Sequence, residues 1–191
     1  LRTKGIEFEG SIRATPNLNL YGSAAYVDAK IREFPGASCY PGQTVAQGCV
    51  AIPGTTTFVQ DLAGVGLANS PDFKFNVGGV YEAPIQGTEI NAYMSANYAW
   101  QDDVNFSLDR NPLTKFDAYG IANASIGLRS TGAVNWDLSF FVNNLFNKAY
   151  LTSITDYTGN GYSAPTLIQQ VPRNYQRYVG VRLRVGFGAS N

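Results

Sequence analysis

The stretch Glu89-Ile90-Asn91-Ala92-Tyr93-Met94-Ser95-Ala96-Asn97-Tyr98-Ala99-Trp100-Gln101 decides the fold. Ile90, Ala92, Met94, Ala96, Tyr98 and Trp100 alternate with Glu89, Asn91, Tyr93, Ser95, Asn97 and Gln101. Successive side chains of a β-strand point to opposite faces, so this period of two gives one apolar face and one polar face. An ordinary soluble strand runs about 5 to 6 residues, whereas a tilted strand needs about 9 to 11 to cross a bilayer. The length of this one suits the bilayer.

Six further segments carry the same pattern. Residues 4–15 set Ile6, Phe8, Ile12 and Ala14 against Glu7, Glu9, Ser11 and Arg13, and residues 18–29 set Leu20, Gly22, Ala24 and Tyr26 against Asn19, Tyr21 and Ser23. Phe73, Phe75, Val77 and Tyr81 oppose Lys74, Asn76, Gly78 and Glu82 in residues 72–83. Residues 117–130 are the weakest case, with Ala122, Ala124, Ile126 and Leu128 opposite Asn123, Ser125, Gly127 and Arg129. A sixth strand from 134 places Trp136, Leu138, Phe140 and Val142 opposite Asn135, Asp137, Ser139 and Asn143. The seventh places Tyr175, Val179, Val181, Leu183, Val185 and Phe187 opposite Asn174, Gln176, Arg182 and Arg184.

Connections alternate in size. Turns near 16, 85 and 132 are short, whereas the stretches at about 30–70, 102–116 and 148–172 are long and irregular. Membrane barrels have short periplasmic turns and longer extracellular loops, so this alternation predicts an all-β transmembrane antiparallel β-barrel wall with a periplasmic C-terminus. Tyr26, Tyr98, Trp100 and Tyr175 fall near strand ends, where an aromatic girdle belongs. Seven strands of alternating direction cannot close on themselves, and unpaired edges in lipid are costly, so further strands are expected from outside this stretch. An eighth strand within 30–70 would instead close a small barrel. Leu1 is neither an initiator Met nor part of a signal segment, and the chain reads as a piece of a longer one.

Composition narrows the function. Charged residues make up 15% and aromatics 13%, with a net charge of zero, and no window reaches the about 18 apolar residues of a membrane helix. A neutral chain without a basic stripe or a phosphate-binding glycine loop does not suit nucleic acid. The absence of histidine removes the usual activator of a serine nucleophile, so no catalytic residue and no enzyme is expected. Two thiols without histidine do not make a metal site, and no cofactor is implied. Cys39 and Cys49, in a Pro, Gly, Thr and Gln-rich loop, instead suit a disulfide in an oxidising compartment. A soluble β-sandwich shares the periodicity but not the strand lengths or the two classes of turn.

Phe141-Val142-Asn143-Asn144-Leu145-Phe146-Asn147-Lys148-Ala149-Tyr150 resembles the segment that leaves the penultimate strand in TonB-dependent outer-membrane receptors. Pro172-Arg173-Asn174-Tyr175 is similar to the start of that family's last strand, which here closes on Phe187 before a periplasmic tail at 188–191. Gly5-Ile6-Glu7-Phe8-Glu9 and the hairpin around Pro16 resemble a mid-barrel hairpin of the same family. The resemblance implies the C-terminal third, residues 1–187, of a barrel of about 22 strands, without its plug domain. It also implies import of a scarce bulky ligand such as a siderophore, cobalamin or an oligosaccharide. The partners are then outer-membrane lipid, the remaining strands and plug, and TonB acting through a region upstream, in a Gram-negative cell. A passive channel or surface-binding barrel is the alternative.

Two sets of residues are candidates for contact. Glu7, Glu9, Arg13, Arg129, Arg182 and Arg184 are expected on the watery face, either in wall salt bridges or against a plug or an anionic ligand. Phe34, Tyr40, Phe58, Phe106, Tyr157 and Tyr162 lie in the loops, where they could stack on a ligand or simply pack. The period also predicts that lysine is refused at Met94, Leu138 and Leu183 and accepted at Asn97, Ser139 and Gln176.

Overall fold

A computed structural model describes residues 1–132, 134–158 and 164–186. Tyr162, Phe187 and the tail 188–191 therefore lie outside the described residues. The elements in chain order are β1 (Arg2–Thr15), β2 (Leu18–Lys30), β3 (Ala37–Ser38), β4 (Val50–Ala51), β5 (Phe58–Gln60), β6 (Phe73–Pro84) and β7 (Ile90–Gln101). They continue as β8 (Val104–Asn105), β9 (Lys115–Phe116), β10 (Tyr119–Ser130), β11 (Asn135–Asn143), β12 (Ser153–Asp156), β13 (Leu167–Gln170) and β14 (Tyr178–Gly186).

Seven of these form one antiparallel sheet in the order β1-β2-β6-β7-β10-β11-β14, an open wall with β1 and β14 at its edges. Register keeps the two faces distinct across the whole sheet. Ile6 pairs with Tyr26, Tyr26 with Phe73, and Phe75 with Trp100, all on the apolar face. Glu7, Ala25, Lys74, Gln101 and Tyr119 form one continuous row on the other.

Among the described residues, nothing covers the apolar face. Phe8 is 70% exposed, Met94 56% and Leu183 64%. A sandwich would bury these side chains under a second sheet. Instead, the buried apolar cluster of Ile31, Ala37 and Leu62, flanked by Val65 and Leu67, sits in the first long loop. Burying an apolar side chain of this size is worth about 1.5 to 3 kcal/mol. A continuous uncovered face of such residues is the pattern of a wall solvated by hydrocarbon.

On the polar face, three aromatic rings cover three glycines on the neighbouring strand. Tyr21 pairs with Gly78, Tyr93 with Gly127 and Phe141 with Gly180. A Cβ on these glycines would stand 2.5, 2.7 and 2.6 Å from the respective ring atoms, so only hydrogen fits. Phe141 shares the polar face with Ser139 and Asn143, although its ring is apolar. Gly127 is the most constrained, because its Cβ would also meet the Leu138 carbonyl oxygen at 2.6 Å. Gly127→Val is expected to destabilise the wall by about 1–3 kcal/mol through overpacking. The readout is a lower urea midpoint of the folded, heat-modifiable band of the full-length protein.

The structure departs from the sequence expectation in three places. The last strand starts at Tyr178, so Tyr175 and Gln176 belong to the turn before it, and Tyr175 is not a girdle residue. Ser139 is buried, 6% exposed, and has no room for lysine. The long connections are not irregular throughout: β3, β5 and β4 make a small sheet, and β8-β9 and β12-β13 make two hairpins. No wall strand occurs within 30–70, so the sheet keeps seven members.

Candidate functional site

Charge on the polar face gathers near the end of the wall that carries the short turns. Arg129 bridges Glu82 at 3.1 Å and Asp137 at 3.0 Å, joining strands β6, β10 and β11. The Tyr93 hydroxyl donates to Asp137 at 2.9 Å, and Asn91 donates to Glu82 at 2.7 Å. The Arg129 guanidinium also lies 4.9 Å from the Tyr93 ring centre. This is a wall tie, with every partner supplied by the sheet itself.

The other predicted charges are arranged differently. Arg182 lies 4.9 Å from the Phe141 ring centre and borders a recess with Ser95, Asn97, Asn123, Ser125 and Asn143. Arg184 is opposite Asp137 in register, but that carboxylate is taken by Arg129. Among the described residues, Glu7, Glu9, Arg13, Arg182 and Arg184 make no ion pair. Glu7 and Glu9 line a second recess of about 620 Å³ together with Lys74, Gln101, Tyr119 and Tyr150. Tyr150 stacks on Tyr119 with ring centres 5.3 Å apart.

The motif after β11 is a locked turn. Asn144, 2% exposed, has φ 51°, and Asn147 has φ 52°, left-handed conformations that asparagine tolerates better than most residues. The Asn144 Nδ2 donates to the Lys148 carbonyl at 2.9 Å and to the Tyr175 carbonyl at 2.7 Å. Its Oδ1 accepts from the Lys148 N–H at 2.9 Å, and its own N–H donates to Asn123 Oδ1 at 2.9 Å. Asn147 Oδ1 accepts from the Arg177 N–H at 2.8 Å. The turn at Pro172 to Tyr175, which includes Arg173, is thus fastened to the exit of β11. Leu145 and Phe146 are both exposed, Phe146 the more so.

The loops above are cross-tied by polar groups. Gln60 Nε2 donates to the Ser38 carbonyl at 2.8 Å and the Asp109 carbonyl at 3.2 Å, linking the first long loop to the second. The Asn69 N–H donates to the Asn105 carbonyl at 3.0 Å. Asn111, buried, donates through Nδ2 to Asp156 Oδ2 at 2.6 Å, linking the second loop to the third. Thr114 and Asn105 complete this hub, with Oγ1 of Thr114 donating to Asn105 Oδ1 at 2.8 Å. A disulfide joins Cys39 to Cys49 in the first loop. Asn111 and Asp156 carry no sequence signal as a pair, since they are 45 residues apart.

Burial pushes the Asp156 carboxyl up, but hydrogen bonds from Thr158 and Asn111 outweigh it and hold its pKa below the ordinary 3.8. The stability that this ionised link lends the loops is therefore complete above that ordinary value, and it is lost as pH falls through the lowered one. At neutral pH, Asp156→Asn is expected to speed amide exchange over residues 105–114 about 5-fold, the equivalent of one ordinary hydrogen bond of about 1 kcal/mol. Hydrogen–deuterium exchange of the full-length protein measures it.

Of the predicted loop aromatics, Phe34, Tyr40 and Phe58 fall on the first long loop, Phe106 on the second and Tyr157 on the third. Phe34, Phe58 and Tyr157 are exposed, and no two of these five form a ring pair among the described residues. The structure spreads them along the rim.

Residues 1–145 match the family described as TonB dependent receptor-like, beta-barrel. This chain belongs to that family. The wall also superposes on solved members of the fold. The ferric yersiniabactin uptake receptor FyuA from Yersinia pestis aligns over 97% of this chain with a TM-score of 0.63 at 15% identity. The siderophore receptor PiuA from Acinetobacter baumannii aligns over 95% with a TM-score of 0.59 at 16% identity. The chain spans only 23% and 21% of those two proteins. No match is found among curated proteins. As a TonB-dependent receptor barrel segment, the sheet is an open part of an outer-membrane barrel wall, with one apolar and one charged face.

Proposed function

We propose that this wall belongs to a receptor that imports a scarce, bulky ligand across the outer membrane by TonB-coupled active transport, with its C-terminus in the periplasm. The observation that carries the reading is a two-faced wall of bilayer-crossing strands within a receptor barrel family. The two structural neighbours are an uptake receptor for ferric yersiniabactin and a siderophore receptor, which favours a ferric siderophore as the ligand class over cobalamin or an oligosaccharide.

Within that reading, Arg129 is a wall tie, whereas Glu7, Glu9, Arg13, Arg182 and Arg184 face a plug or the passing ligand. A fixed cation on a wet, walled face attracts anionic groups more strongly than one in bulk water. Phe34, Phe58 and Tyr157 are the rim aromatics best exposed to stack on an incoming ligand.

The test is growth of a strain lacking the full-length gene on a panel of ferric siderophores under iron limitation. Loss of growth on one siderophore, restored by the gene only while TonB is present, supports the proposal. Uptake that survives removal of TonB would leave a passive channel instead. In the coupled case, Arg182→Glu is expected to weaken uptake of an anionic siderophore about 10-fold while leaving barrel assembly intact, because Arg182 makes no ion pair among the described residues.

A further inference from the structure

We propose that Arg2, Lys4, Lys30 and Arg32 form a binding site for the phosphate groups of a lipid headgroup in the outer leaflet. The assignment rests on the reading above that the long loops lie outside the cell. Arg2 pairs with Lys30 and Lys4 with Asp28 in the β1–β2 register, on the same face as Ile6, Tyr26 and Phe73. That face is the lipid face. Lys4 lies two residues beyond Ile6 toward the long-loop end, a rise of about 7 Å at the usual strand spacing. Phe73, Phe75 and Trp100 cluster around the same level, with ring centres 5.7 to 6.0 Å apart, as an aromatic girdle. Cations just beyond a girdle sit at headgroup depth, since lysine or arginine deeper on this face would be expelled.

Three of the four cations make no ion pair among the described residues. Like charges directly opposed across a strand pair repel, yet Arg2 stands opposite Lys30. Asp28, 3.0 Å from Lys30, is the one carboxylate that makes an ion pair with the group among the described residues. Among the described residues, Arg2, Lys4 and Arg32 make no ion pair. Arg2, Lys30 and Arg32 surround a recess of about 340 Å³ with Asp28, Ile31 and Gly64. Clustered arginine and lysine at a membrane surface is the chemistry that holds anionic headgroups, and the guanidinium fork fits phosphate oxygens two at a time. The exposed Ile6 and Tyr26 immediately below give acyl chains a surface, which a free phosphate would not use.

The full-length protein in mild detergent is to be mixed with bisphosphorylated lipid A, with its dephosphorylated form, and with inorganic phosphate, and bound lipid read by native mass spectrometry. Retention of the bisphosphorylated lipid is expected. It should fall at least 10-fold in the triple variant Arg2→Gln, Lys4→Gln, Arg32→Gln, and for the dephosphorylated lipid. Arg2→Lys with Arg32→Lys, which keeps the charge, should restore most of it. Equal retention by the wild type and the triple variant would overturn the site. Complete displacement by equimolar inorganic phosphate would assign it to a free anion instead. Thr55→Cys, in the first long loop, is labelled on intact cells with an impermeant maleimide as a separate readout of topology. A labelled cysteine with unchanged lipid retention retires the lipid site alone. An unlabelled one retires the topology, and with it the outer-leaflet assignment.

Discussion

Lysine at Met94, Leu138 or Leu183 is expected to abolish accumulation of folded receptor, while lysine at Ser11, Ser23 or Asn97 leaves it near the wild-type level. The first three side chains are 56%, 40% and 64% exposed on the uncovered apolar face, within the middle of β7, β11 and β14. A lysine at the bilayer midplane of a barrel costs about 2–4 kcal/mol, more than about 30-fold in the folding equilibrium. Ser11 and Ser23 are exposed on the opposite face, Ser11 following Glu7 and Glu9 along β1 and Ser23 paired with Glu9, where water or protein solvates an ammonium group. Ser139 and Gln176 are poor controls, since one is buried and the other precedes its strand. The measurement is the heat-modifiable band in outer-membrane fractions of cells expressing the full-length protein. Equal accumulation of both sets would mean that the uncovered face does not touch hydrocarbon.

Asn144→Ala carries the second large effect. Three side-chain hydrogen bonds disappear at once, leaving the Lys148 N–H and the Lys148 and Tyr175 carbonyls without this partner. Each unsatisfied buried group costs about 1–3 kcal/mol, and alanine is also strained at φ 51°. A loss of about 3–5 kcal/mol is expected in urea unfolding of the full-length receptor. Asn144→Gly relieves the backbone strain but not the lost bonds, so it should fall between the wild type and the alanine variant. If alanine and glycine behave alike, the left-handed backbone contributes nothing there.

The wall was legible because its signal is long. Over the 12 residues of β7 a period of two is unmistakable, and the register then carries it to every neighbour. The four-residue strands β12 and β13, and the still shorter β3, β4, β8 and β9, are too brief for any period to show. Arg177 marks the misplaced start of β14, because an alternation beginning at Tyr175 would send this cation into lipid. Charge pairing was harder to foresee. Alternation puts Glu82, Arg129 and Asp137 on one face but cannot say that Arg129 lies within 3.1 Å of both carboxylates, because that depends on register between strands far apart in the chain. The loop hub of Asn105, Asn111, Thr114 and Asp156 is invisible for the same reason.

The rings laid over glycines have a bearing on how such a wall can change over time. Tyr21 with Gly78, Tyr93 with Gly127 and Phe141 with Gly180 each clasp the two strands that flank one long loop. A one-residue slip would turn every side chain of a strand to the wrong face, and each clasp resists it from within the wall. Lengthening a flexible loop costs only about 0.6 kcal/mol per doubling. The rim can therefore be rewritten, by insertion or exchange of whole loops, while the staves beneath stay in step.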